Sequence, residues 1–257
     1  MGRKPRRKRK KPARKATLRQ RLLQVLRWSA VLLAALLLAD AYWLYRNWPD
    51  WEALANGPVP ESRLIRDYRK SANIDAKLPA VRWQPVALNE IPYAVQRAVI
   101  IAEDGRFYQH GGFDVAAIRN AWQYNLSHLK VRYGASTISQ QTVKNLFLSN
   151  DRTLLRKWHE AILTWQMEQR LDKKRILEIY LNIAQFGPGI FGVQAASYYY
   201  WGRPVWRVNL RQAAELAACL PSPSHNNPAR YTQAFASRAN SVYQRLNEVL
   251  ERESRSD

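Results

Sequence analysis

Ala98-Val-Ile-Ile-Ala-Glu-Asp-Gly-Arg-Phe-Tyr-Gln-His-Gly-Gly-Phe-Asp114 is the stretch on which the fold and the chemistry of this chain turn. It opens as an apolar run and closes on Glu103 and Asp104, followed by Gly105 and an aromatic, histidine and double-glycine turn. Pro92 suits a first helical position and Gly105 the residue just past the end, which predicts a helix over 92–104. Glu103 then sits in the last turn, where unpaired carbonyls leave partial negative charge. That charge, and apolar walls around it, disfavour the carboxylate anion and raise its pKa. A raised carboxyl suits proton transfer. The competing reading is an ordinary solvated charge at a helix end.

Outward from this stretch toward the C-terminus the pattern is helical almost throughout. Asp114 caps a helix over 115–129. Thr137 with Gln140 forms a capping box that opens a helix to Leu148. Thr153 caps a helix to Leu171, and a further helix runs from Asp172 or Lys173 to Asn182. Shorter helices follow over 193–201 and 210–220, then a break at Pro221–Pro228 and a last helix over 232–252. With no run of strands, the fold class is mainly α.

Toward the N-terminus the composition changes. The 257 residues carry 41 Lys and Arg against 20 Asp and Glu, a formal net charge of +21. The 27 residues before Trp28 hold 13 of those bases and no acid. This basic tail (1–27), too polar to build a core, reads as disordered. The apolar segment 28–45 has the length of a membrane span, with Trp28 at one edge and Tyr42, Trp43 and Tyr45 at the other. Asp40 lies near one end, within reach of the interface. The positive-inside rule keeps the tail cytoplasmic and puts the chain beyond Arg46 on the opposite side. The tail is thus a topogenic signal with affinity for anionic lipid, and nucleic acid is not expected as a partner. Residues 46–90, with five prolines, read as a juxtamembrane connector with one short helix. The main folded domain is set at 91–257. The single cysteine, Cys219, lies in an Ala- and Leu-rich helix and reads as a buried small hydrophobe.

Three- and four-residue spacing brings Gln140, Gln141, Lys144 and Asn145 onto adjacent faces of one helix. Ser136 and Thr137 stand at that helix mouth, where free amides can receive an anion. Arg152, Arg156 and Glu160 recur every four residues, with Lys157 alongside. An intrahelical ion pair of about 0.3–0.5 kcal/mol is the plain reading of Arg156 and Glu160. Four cations near two helix N-termini exceed that need and suit a diphosphate, whose oxygens require donors from several directions. No two histidines are spaced as metal ligands.

Taken together these stretches resemble the peptidoglycan glycosyltransferases of family 51. The motifs are Glu103–Gly111, Gly134–Asn145, Arg156–Glu160, Lys174–Asn182 continuing to Gly187, and Glu215–Pro223, in order across residues 83–230. Ala135, Ser139 and Thr142 depart from the usual residues. The resemblance implies a lysozyme-like domain and an inverting transfer of the growing glycan from its polyprenyl pyrophosphate to the sugar hydroxyl of lipid II. It makes Glu103 the base that deprotonates this hydroxyl. Glu160 becomes a second carboxylate, oriented by Arg156 or holding a divalent ion (Mg or Mn) at the diphosphate, with no cofactor strictly required. Ser136, Thr137, Gln140, Gln141, Lys144, Asn145, Arg152, Arg156 and Lys157 become substrate-binding residues, and Asp104, Phe107 and His110 supports. It also encourages a lipid-dipping flap of hydrophobic residues over 126–148. Expected partners are lipid II, the nascent strand, membrane lipid, and other cell-wall synthases or division proteins. The expected location is the inner membrane, with the catalytic domain periplasmic. The rival readings are a lytic enzyme of similar fold and a non-catalytic basic membrane adapter.

Overall fold

The structure, a computed structural model, describes residues 18–128 and 136–255. The tail before Leu18 and the loop with Gly134 and Ala135 lie outside the described residues, as does that part of the expected flap. The chain forms two compact units, 1–49 and 50–257.

The first unit contains helix α1, Leu18–Arg46, none of whose residues is buried. Its apolar window has a mean hydropathy of 2.0, long and apolar enough to cross a membrane. The helix starts ten residues before the expected span. Leu18, Leu22, Val25 and Leu26 recur at helical spacing among the bases, so residues 18–27 extend the helix instead of remaining an irregular tail.

The second unit begins well before the expected boundary at 91. Residues 51–90 supply α2 (Trp51–Asn56), α3 (Arg63–Ile74) and strand β1 (Arg82–Trp83), and Trp51, Leu54 and Ile65 are buried in the core. The segment is fastened as well as packed. Arg175 donates to the carbonyls of Leu54 (2.9 Å) and Gly57 (2.6 Å). Asn182 accepts from Val86 N (2.9 Å) and donates to Val86 O (2.8 Å). Where its prolines interrupt helix and sheet, the backbone groups left over are satisfied by side chains of the domain. The expected connector is part of the fold.

The catalytic-domain helices are α4 (Tyr93–Glu103), α5 (Val115–His128), α6 (Ile138–Phe147), α7 (Leu154–Arg170) and α8 (Lys173–Ile183). Beyond β2 (Gln185–Gly187) and β3 (Ile190–Phe191) come α9 (Val193–Trp201), α10 (Leu210–Cys219) and α11 (Gln233–Ser254). The termini follow local signals. Thr137, Thr153, Asp172, Asn209 and Thr232 each accept a backbone N–H at a helix start. Pro92 is the N-cap of α4 rather than its first helical residue.

Two sets of helices build the core. In one, α10 packs on α4 and α11; in the other, α6 packs on α7, α8 and α3. Ala213, Ala214, Ala217 and Ala218 are buried, and these small residues let the backbones of α10 and its neighbours approach closely. Cys219 is fully buried, and burial holds its thiol well above the usual range. The fold is mainly α, as expected, with one small addition: β1, β3 and β2 form a sheet in that order, β1 parallel and β2 antiparallel to β3. Each strand is only two or three residues long, below the length at which alternation becomes a readable pattern. Ile138, Val143, Leu146 and Leu148 are core residues, so these hydrophobic residues of the expected flap belong to the interior.

Candidate active site

Glu103 closes α4, and Asp104 leaves the helix with φ −158° and ψ 71°. The kink sends the two carboxylates in different directions. Glu103 accepts from Gln141 Nε2 at 2.9 Å through Oε2 and from Arg238 Nη2 at 2.9 Å through Oε1. Its side chain is 12% exposed. Burial pushes its carboxyl above the ordinary range, and Gln141, Arg238 and Lys144 oppose that without cancelling it.

Asp104 is turned inward. Its Oδ2 accepts from Ile138 N (3.0 Å), at the N-terminus of α6, and its Oδ1 lies 2.9 Å from His110 Nε2. It therefore binds the end of α4 to the start of α6, and His110 and the fully buried Phe107 brace that junction. Arg106 pairs with Asp114, which caps α5 by accepting from Ala117 N (2.7 Å). Asp104, His110 and Asp114 offer ligand atoms within 4.8 Å of one another. Each carboxylate is already committed to backbone N–H and a charged or ring partner, so the group is a structural latch.

At the mouth of α6 the expected capping box forms. Thr137 donates to Gly112 O (2.6 Å), and Thr137 and Gln140 spend their backbone and side-chain groups on a reciprocal capping box. Both are buried, as is Asn145, whereas Ser136 is exposed. Gly112 has φ +91°, and a Cβ there would stand 2.9 Å from Thr164 Cγ2. Gln141 is turned onto Glu103, which makes it a neighbour of the acid. Two of the three departures find local uses: Ser139 donates to Glu168, and Thr142 to Ile138 O (2.8 Å).

The cationic side forms as a group. Glu160 is 3% exposed, and Arg156 (2.6 Å) and Lys157 occupy its two oxygens. Arg156 also donates to Asp151 O (2.6 Å). The Lys144 side chain makes no hydrogen bond or ion pair among the described residues. Burial lowers its pKa, and the charges of Glu160 and Glu103 oppose that shift. Both carboxylates thus act on one ammonium, which ties the acid and the cations into a single site. Arg152 is exposed. A carboxylate already neutralised by two cations does not fit a divalent ion, which seeks several oxygen ligands. Among the described residues, Glu160 belongs to no group of three or more metal-ligating side chains.

Two contributors had no sequence role. Arg238 lies beyond the last motif, in a helix whose sequence marks it only as an amphipathic C-terminal element. Tyr180 lies inside the fourth motif, and its hydroxyl donates to Gln141 Oε1 at 3.0 Å. Neither position carries a periodic or spacing signal that would single it out.

A largely buried acid and a half-buried lysine with no side-chain partner among the described residues, with Arg156 and Lys157 acting on the same lysine, are the kind of arrangement found in enzymes that act on anionic substrates. The transglycosylase family profile matches residues 72–247. The biosynthetic peptidoglycan transglycosylase of Laribacter hongkongensis is 37% identical over 227 residues, covering 88% of this chain and 97% of its own. The protein of the same name from Methylobacillus flagellatus is 36% identical over 88% of this chain and 97% of its own. That from Aeromonas hydrophila is 51% identical over 148 residues, 58% of this chain and 63% of its own. The chain belongs to the transglycosylase family, the peptidoglycan glycosyltransferases, and is an enzyme of that class.

Proposed function

We propose that this chain polymerises glycan strands, transferring the growing chain from polyprenyl pyrophosphate to the sugar hydroxyl of lipid II with inversion. The observation that carries the reading is the buried, raised carboxyl of Glu103 beside the unpaired Lys144. Glu103 takes the proton of the acceptor hydroxyl as its oxygen bonds to the donor's anomeric carbon. The bond from that carbon to the diphosphate oxygen breaks, and its electron pair leaves with the diphosphate. Lys144, Arg152, Arg156 and Lys157 stabilise the charge that develops there. Glu160 keeps Arg156 and Lys157 in place and supports the charge on Lys144. No step needs a metal.

The anchor helix fits this substrate, since donor, acceptor and leaving group all carry a polyprenyl chain. With the basic tail cytoplasmic, the domain works at the outer face of the inner membrane. Tethering there raises the effective concentration of enzyme at the lipid surface.

Purified full-length protein with labelled lipid II, its products separated by size, tests the reading. Long glycan is expected from the wild type, and Glu103→Gln should lose about 10²–10⁴-fold, the range for a lost general base. Wild-type rates in Glu103→Gln would refute the assignment, and cleavage of preformed glycan without polymerisation would favour a lytic enzyme.

A further inference from the structure

Both oxygens of Glu103 are held by side chains reaching it from far along the sequence. On one side, Arg238 of α11 donates through Nη2 to Glu103 Oε1 (2.9 Å) and to Ala102 O (3.2 Å). Its Nε is buried with no partner, so the acid and its preceding carbonyl provide the guanidinium's polar anchorage among the described residues. On the other side the contact is relayed. Tyr180 is fully buried, and its hydroxyl donates to Gln141 Oε1 (3.0 Å) while Gln141 Nε2 donates to Glu103 Oε2 (2.9 Å). An amide has one accepting and one donating end. A tyrosine that donates to the oxygen therefore selects the orientation in which the NH₂ faces Glu103.

We propose that Arg238, and Tyr180 acting through Gln141, are positioning residues that fix the carboxylate of Glu103 from both sides and keep it ionised in its buried site. The proposal rests on reading Glu103 as the base. With one donor on each oxygen, the carboxylate cannot rotate, and its remaining lone pairs face fixed directions. Preorganisation of this kind removes an orientational cost from the reacting complex.

The charge argument has a definite sign. Among the described residues, Glu103 is faced by Arg238 from α11, by Gln141 and Lys144 from α6, and by Tyr180 of α8 through Gln141. Asp104 is its chain neighbour. On α10, the remaining helix packed on α4, Arg211 and Glu215 pair with each other and with Tyr231. Burial raises the carboxyl, and Arg238 is one of the two cations that oppose this. The base works as the anion, so activity falls as pH drops through its pKa. Removing Arg238 raises that pKa and moves the acid limb to higher pH, by about one unit or more for a lost contact charge.

The test is kcat/KM against pH for full-length Arg238→Met, Arg238→Lys and Tyr180→Phe on labelled lipid II, with an infrared titration of the Glu103 carboxyl identified by its loss in Glu103→Gln. Arg238→Met should displace the acid limb upward by about one unit, and Arg238→Lys should recover most of that. Tyr180→Phe should lower kcat and displace the limb upward by less. An acid limb at its wild-type position in Arg238→Met overturns the proposal whatever the loss of rate, because general damage lowers activity without moving a pKa. If Arg238→Met does not fold, the infrared band of Arg238→Gln, which keeps an amide donor without the charge, decides: an upward shift supports the proposal, and an unmoved band overturns it. Wild-type activity in Glu103→Gln would instead remove the base reading, while the infrared titration would still measure the effect of Arg238.

Discussion

Asp104→Asn tests whether the residue beside the base is a structural latch. Asp104 is buried, with Oδ2 accepting from Ile138 N at 3.0 Å and Oδ1 2.9 Å from His110 Nε2. A carboxylate only accepts, so Nε2 donates in the wild type, and Nδ1 is buried with no partner among the described residues. Asparagine can keep the bond from Ile138 N through its oxygen, but its NH₂ then confronts Nε2. Either two donors oppose each other, or the imidazole changes tautomer and Nδ1–H becomes a buried donor without an acceptor. Either outcome costs about 1–3 kcal/mol. At about 2–4 °C per kcal/mol for a domain of this size, a loss near the middle of that range lowers Tm by about 4–8 °C. Asp104→Ala removes both acceptors and should fall further. The assay is thermal unfolding of the full chain in detergent, followed by near-ultraviolet circular dichroism. An Asp104→Asn protein that melts with the wild type, or an Asp104→Ala protein that is the more stable of the two, would refute the latch.

Two further outcomes follow from the geometry. Burial holds Lys144 below its usual range, and Glu160 is the largest influence opposing that. Glu160→Gln should therefore lower the Lys144 pKa further, and binding that needs its charge should be lost at lower pH, by about one unit. Affinity for a polyprenyl diphosphate across the neutral to alkaline range checks this, and an unmoved alkaline limb counts against it. Gly112→Ala forces a Cβ onto a residue at φ +91° and toward Thr164 Cγ2, at a cost of about 1–3 kcal/mol. Adding Thr164→Ser should recover part of the lost melting temperature, because it removes the methyl but not the strained backbone; no recovery would show that the steric contact is not the cause.

Much of the architecture was legible because it is written within a few residues. Thr137 reaches Gln140 N, Thr153 reaches Arg156 N, and Asp172 reaches Arg175 N, each three positions away. Caps and apolar periodicity therefore placed the helices from 93 onward to within a residue or two, and Glu103, Lys144, Arg156 and Glu160 stood out through their spacing. Segment 51–90 was misread for the complementary reason. Its prolines interrupt any period, and its place in the fold depends on Arg175 and Asn182, each about a hundred residues away.

The sequence by itself determined a mainly helical chain with one apolar helix, a helix-end acid and a stripe of cations, because each of those depends on neighbours along the backbone. Only the tertiary structure decided which groups hold the acid and which are spent on the scaffold. Arg238 meets Glu103 across 135 positions, and Tyr180 meets Gln141 across 39. Gln140 and Thr137, by contrast, close a cap that their three-residue spacing already announced. The physical reason is that such pairings require the chain to close long loops before the groups can meet, and local spacing carries no record of which side chains are then brought face to face.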